Sequence, residues 1–263
     1  MVTPRPKLRS TVDLVAVSAV MQARLQRSAF FLLLAVAQPA IFLALTILAS
    51  ERRGRLDYGH VAIGVALLAV WATTVWQAGL VLRLETWFGT LAGVVSRAPS
   101  LLAVLAAKCL GVTLQATIAI VATIAGTSLA FGRTVTIEHP LAFAAGSIAV
   151  VASAMTLGLL LSSLLLLTRS GIRIAEALIY PGFLLSGLLV PVSVLPEWAR
   201  PVANGMSLYW GGRILRAAAD GSAQDATAWI LLAATTAAYA LAAMLAFRRV
   251  MERARRVGSL DLV

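Results

Sequence analysis

The chain has 263 residues, 60% of them hydrophobic and only 13% charged, with a formal net charge of +11. A soluble domain carries about 45–50% apolar and about 25% charged residues, so this composition excludes a soluble fold and leaves no length for a soluble catalytic domain. The basic residues lie at the ends of apolar segments and not on one polar face, which fits membrane topology and speaks against a nucleic-acid partner.

The lead-in, 10–27, places Leu14, Val17, Met21 and Leu25 near helical spacing, with Asp13, Gln22, Arg24 and Arg27 as polar partners. That pattern suits an amphipathic helix lying on the inner membrane surface; a plain cytoplasmic lead-in gives the same pattern. The first apolar run begins at Ala29. It is longer than a signal-peptide core of about 7–15 residues, so no cleavable signal is expected.

Six runs approach or exceed the roughly 20 residues a membrane helix needs: Ala29–Ser50, Gly59–Leu82, Leu101–Phe131, Pro140–Thr168, Ile174–Leu195 and Ala226–Phe247. The third and fourth are over-long, so they tilt or project from the membrane. Gln38-Pro39 falls inside the first run. Proline removes a helical hydrogen bond and kinks the helix, and Gln38 then faces a substrate path or bonds the freed carbonyl. The single cysteine, Cys109, sits in an apolar run as a small buried hydrophobe.

Between the second and third runs, 83–100 reads RLETWFGTLAGVVSRAPS. Trp87, Phe88, Leu91, Val94 and Val95 give this inner loop an apolar side. It is either a short helix that docks on another protein or one that rests on lipid. Gly89-Thr90 offers a local break, and Pro99 ends the element.

The fifth run ends in YPGFLLSGLLVPVSVLPEW, Tyr180 to Trp198. It is apolar enough for a bilayer yet holds Pro181, Gly182, Gly187, Pro191 and Pro196. Backbone freed by such residues at membrane depth must be buried in protein or face a wet cavity. A span ending in a broken, re-entrant outer hairpin, about 191–209, is therefore expected; a Pro-rich loop beyond an ordinary span is the plain alternative. Upstream, Glu176 is the one acid near the edge of an apolar span, a candidate for proton coupling. Arg173 stands three residues before it, so a local ion pair is the favoured reading. His60 and His139 stand alone near outer span ends, without metal-ligand spacing. After the sixth run, Arg248–Arg256 reads as a short basic helix that anchors topology.

Six spans put both termini on one side. With that side cytoplasmic, fifteen of the 22 Lys and Arg lie inside and seven outside, the bias expected of cytoplasmic loops. Arg52, Arg53 and Arg55 run against it, flanked by Glu51 and Asp57. The fold expected is an all-α polytopic membrane protein: six transmembrane helices in a single domain, an amphipathic N-terminal helix, and a re-entrant outer hairpin after the fifth span.

Glu85, then after three intervening residues Gly89-Thr90-Leu91, and Pro99 before the next span resemble the cytoplasmic loop of ABC-2 type transporter permeases. Ser186-Gly187, Pro191, Leu195-Pro196 and Trp198 are similar to that family's fifth span and outer hairpin. The kinked first span at Gln38-Pro39 and the amphipathic lead-in fit as well. Two features depart: Ala92 stands where the family often has an acid, and Ser207-Leu208 where it often has Asn-Pro. The resemblance implies an export channel in the bacterial cytoplasmic membrane, made with a second permease subunit, the same chain or a homologue. A separate P-loop ATPase subunit, holding ATP and Mg, would bind beneath it. Glu85, Trp87, Phe88, Gly89, Thr90, Leu91 and Val94 would receive the ATPase's motion, with 168–173 as a smaller contact. Tyr180, Pro181, Ser186, Gly187, Pro191, Pro196 and Trp198 would belong to the gate.

The residues agree on one point. The only lysines are Lys7 and Lys108, and neither follows a glycine, so this chain contains no G-x-x-x-x-G-K-[ST] phosphate loop and binds no cofactor of that kind itself. Few charges fall within the spans, which suits a hydrophobic or amphipathic cargo: a drug, an antibiotic-like natural product or a lipid. An ion-driven carrier is the alternative. A membrane-embedded lipid-modifying enzyme is less favoured, because the acids are scattered.

Overall fold

The computed structural model describes residues 36–37, 39–45, 47, 58–81, 83, 101–132, 135–168, 170, 173–177, 180, 182 and 195–257. Among them every regular element is helical. Helix α1, Tyr58–Thr73, runs directly into a π-helical turn, Thr74–Ala78. It is followed by α2, Leu101–Ala130, and α3, Pro140–Leu167. Two shorter helices, α4 at Arg200–Asn204 and α5 at Ser207–Asp220, precede α6 at Ala226–Val257.

Among the described residues, four helices are long and apolar enough to cross a membrane: Tyr58–Ala78, Leu102–Ala130, Pro140–Leu165 and Ala226–Glu252. They correspond to the second, third, fourth and sixth expected spans. Of the first span, the described positions 36–37, 39–45 and 47 are helical, as are 174–177, 180 and 182 of the fifth, whose last residue, Leu195, is in a bend. The rest of those two spans, including Gln38, and the lead-in at 10–27 lie outside the described residues. Pro39 is helical and buried.

The helix ends follow local chemistry. Proline at the first position of α3 costs no hydrogen bond, since that N–H would have no helical partner. Gly132, at φ 60, closes the turn after α2. The 32 residues of α6 make a rod of about 48 Å at 1.5 Å per residue. That exceeds a hydrocarbon core of about 30 Å, so its last turns, with Arg248 and Arg249 exposed, stand beyond it as the expected basic extension.

Helix α3 is the hub, with α6, α5, α2 and the π-helical turn that follows α1 all packed against it. One core joins Ile63, Leu67, Trp71 and Val75 of α1, Val150, Leu157, Leu161 and Leu165 of α3, and Leu208 and Leu215 of α5. A second joins Leu105, Cys109 and Val112 of α2 to Ala243, Phe247 and Val250 of α6. Leu43 of the first span packs on Ala62 and Val65. Cys109 is fully buried, as its apolar setting predicts. On α2, the hydroxyls of Thr113, Thr117, Thr123 and Thr127 donate to the carbonyls four residues back. This satisfies groups that hydrocarbon would leave without partners.

Lipid tails are as apolar as Leu, so close approach of small residues decides how such helices seat. A methyl placed on Gly158 of α3 would lie 2.6 Å from Ala78 Cβ. Replacing Gly158 with Val is therefore expected to force α1 and α3 apart at a cost of about 1–3 kcal/mol, the usual range for overpacking. A lowered midpoint of thermal unfolding in detergent, with membrane insertion retained, checks this.

Candidate functional site

Two regions hold the residues singled out by sequence, one at each end of the bundle. The one expected from the charge bias to face outward runs from Leu195 to Asp225. Pro196 and Trp198 are exposed, Trp198 at 74%. The turn is closed by the Ala199 N–H donating to Pro196 O (2.9 Å), and Ala199 itself is buried. Helix α4 then leads through Gly205 to the extended Met206 and into α5.

The sequence predicts an outer hairpin over about 191–209 and no helix after it; in the structure Ser207–Asp220 is a helix. Leu208, Gly211, Ile214, Leu215, Ala218 and Ala219 are buried on one side of it, while Arg213 is exposed. That spacing of three and four residues is a helical signal legible in the sequence. The segment is too short and too polar to register as a span.

Helix α5 is anchored at both ends. At its start, the Tyr239 hydroxyl donates to Gly205 O (2.9 Å) and accepts from the Ser207 N–H at 3.4 Å. The Trp210 indole N–H donates to Asn204 O at 2.7 Å. Tyr239 stands thirteen residues into α6, about 20 Å from its first turn. At the other end, the Glu138 and His139 N–H groups donate to Ala219 O (3.2 Å) and Ala218 O (2.9 Å). The stretch leading into α3 thus caps the last carbonyls of α5, groups that a helix cannot satisfy itself. Gly221 follows in the left-handed conformation, φ 71, where glycine is favoured. Along its length Gly211 faces Val150, and Gly146 faces Ile214 and Leu215, so α5 lies antiparallel to the outer part of α3.

Polar side chains tie the outer rim together. Asp220 pairs with His60 at 3.2 Å, which joins the end of α5 to the start of α1. His60 therefore does not stand alone, contrary to the sequence expectation. Arg213 pairs with Asp225 at 2.9 Å and lies over the Trp210 ring, 5.5 Å from its centroid. Asp225 also accepts the Thr227 N–H at 2.9 Å, an N-cap that begins α6. Burial lowers the Arg216 guanidinium from its ordinary pKa, and the charge of Asp220 opposes that shift.

The fifth span enters this picture through a few residues. Ala175 is buried in the main core, while Tyr180 is 70% exposed. Gly182 lies against the indole of Trp71, leaving no room for a side chain. Among the described residues no ion pair joins Arg173 to Glu176; both are exposed. The expected local pair is thereby corrected, in keeping with the small net worth of exposed pairs against side-chain entropy. Pro181, Ser186, Gly187 and Pro191 lie outside the described residues.

At the opposite end of the bundle, the π-helical turn is closed by the Gly79 N–H donating to Thr74 O at 2.8 Å. Gly79 then rests on Leu161 and Leu165 of α3. Arg83, only 8% exposed, donates from Nη1 to Leu165 O (3.2 Å) and Thr168 O (3.1 Å). The sequence reading counted Arg83 only as a topological charge. Glu85, Trp87, Phe88, Gly89, Thr90, Leu91 and Val94 lie outside the described residues. Among the described residues no three His, Cys, Asp or Glu are grouped so as to hold a metal ion.

In comparison with known proteins, the model of the ABC-2 type transporter family matches residues 14–219. The match runs from the lead-in through α5 and stops short of α6. No curated protein gives a significant match.

Proposed function

This chain belongs to the ABC-2 type transporter family, and from that premise we propose that it is the permease subunit of an ATP-driven exporter in the bacterial cytoplasmic membrane. The observation that carries the reading is the extent of the family match. Residues 14–219 take in the lead-in, the inner loop at 83–100 and the outer α4–α5 unit. The sequence contains no phosphate loop, so in this reading ATP and Mg are held by a partner ATPase. Two permease chains, identical or homologous, enclose the path, and both termini face the cytoplasm.

In this reading Glu85–Val94 receives the ATPase and Gln38-Pro39 bends the first span. The segment from Tyr180 through Trp198 to α5 forms a re-entrant outer gate. Support for that last assignment comes from the position of α5 beside α3 and from Tyr239, which holds its first turn well below the start of α6. The cargo is a hydrophobic or amphipathic compound such as a drug, an antibiotic-like natural product or a lipid, since fixed charges are scarce in the spans.

The test is to extract the chain from its native membrane in mild detergent. An ATPase with a phosphate-loop sequence is expected to accompany it in stoichiometric amount. Changing Trp87 and Phe88 together to Ala is expected to weaken that association at least about tenfold, because buried aromatics dominate interface energies. A chain that emerges without any ATPase, under conditions that preserve known complexes, overturns the reading in favour of an ion-driven carrier.

A further inference from the structure

We propose that Arg83 is a positioning residue: its guanidinium clamps the stretch beyond the π-helical turn that ends α1 to the C-terminal end of α3, so that the segments following the two move as one body. The proposal rests on the exporter reading for its purpose but not for its geometry.

The last carbonyls of a helix have no partners within it. The inner end of α3 is therefore a natural seat for a cation, both as hydrogen-bond donor and against the helix dipole. Arg83 occupies it, with Nη1 donating to Leu165 O and Thr168 O. The Thr168 hydroxyl donates to Leu165 O as well, at 3.2 Å, so the acceptor region is itself braced. An arginine serving only as a topological charge would carry its head into water or the headgroups. Arg83 is instead 8% exposed.

The π-helical turn is what brings it there. At 3.6 residues per turn, Thr74 and Arg83 would face about 180° apart on a regular helix. The extra residue taken up by the turn reduces this to about 80°. Thr74, Ala78, Gly79 and Arg83 then all meet α3: the first two at Gly158, Gly79 at Leu161 and Leu165, and Arg83 at the end. Such turns frequently mark functional positions in helices. The glycine at 79 is required for the same reason, since a Cβ there would lie 2.5 Å from Val75 O. Arg83 begins the 83–100 segment proposed to receive the ATPase, and Thr168 begins 168–173, the second proposed contact. One side chain thus joins the roots of both.

The experiment uses spin labels on cysteines at Ser96, Ser170 and Ser222, placed in pairs in a Cys109→Ala background in lipid nanodiscs. With Arg83 present, the Ser96–Ser170 distance is expected to form one narrow distribution in the chain alone. Arg83→Met, which keeps length and removes the donors, is expected to raise a second population about tenfold, the scale of losing a charged hydrogen bond. Arg83→Lys should fall between, a point charge without the fork. A single unchanged distribution in Arg83→Met overturns the clamp. This arm needs no ATPase, so its failure leaves the exporter reading standing.

In the full complex trapped with vanadate, Ser96 and Ser170 should both shift relative to the outer label at Ser222. In Arg83→Met only Ser96 should shift. Joint movement in that variant overturns the clamp; no shift in the native complex overturns the exporter reading instead. Should Arg83→Met not disperse as a single species, Arg83→Lys is measured in the same way, and an Arg-like result in every pair counts against the proposal.

Discussion

Changing Glu85 to Ala, or introducing proline at Val94, is expected to leave the permease inserted and to disconnect ATP hydrolysis from export. The second change has the larger effect. Proline inside a helix removes a hydrogen bond and clashes with the preceding turn, at a cost of about 3 kcal/mol. That is roughly a hundredfold in the population of an intact docking helix, at about 1.4 kcal/mol per tenfold. In the proposed docking role, Trp87, Phe88, Leu91 and Val94 act together, and proline at Val94 would disturb their common presentation. Glu85→Ala would act more mildly, since it removes one charge and leaves the backbone unaltered. ATP turnover and export measured in the same vesicles distinguish the outcomes. Normal export and normal ATPase binding in both variants would eliminate the docking role.

Replacing Gly211 with Leu is expected to unseat α5. The glycine faces Val150 so closely that even a Cβ would collide with that side chain, and overpacking of this kind costs about 1–3 kcal/mol for small insertions. Leucine adds more than a methyl, so the helix must move outward. Its anchors limit where it can go: Tyr239 at Gly205, the Glu138 and His139 backbone at the far end, and His60 on Asp220. The start of α5, where Ser207 is 1% exposed, should be the part that opens. A cysteine at Ser207 is thus expected to become reactive to a water-soluble maleimide in the Gly211→Leu background, with export impaired and the α1–α3 contact retained. Unchanged reactivity and an unchanged thermal midpoint would refute the seating of α5 as described.

The span-forming segments were legible because their signal is local. Length and apolar content alone place the starts of α1, α2, α3 and α6 within about a residue, and Pro140 marks a start as proline does at a helix's first turn. The basic continuation of α6 was legible for the same reason. Helix α5 was legible in principle, from buried positions spaced three and four apart between Leu208 and Ala219, but its modest hydropathy hid it beside the spans. The local pairing of Arg173 with Glu176 was inferred from spacing alone, and exposure removed the reason for it.

What the chain alone determined, then, is membrane embedding and the four long apolar helices α1, α2, α3 and α6, because each follows from the residues of one segment. Which faces meet was decided by the tertiary structure. Helices that are apolar all round carry no stripe to say which side turns inward, and in lipid the hydrophobic effect does not choose between neighbours. Packing chose, through the absence of side chains at Gly158 and Gly211 and through the extra residue in the π-helical turn. The polar ties came with it: Arg83 to Thr168 across 85 residues and Tyr239 to Gly205 across 34, with His60 meeting Asp220. Each partner is unremarkable in its own segment, and the pairing exists only once α3 has drawn the other helices around itself.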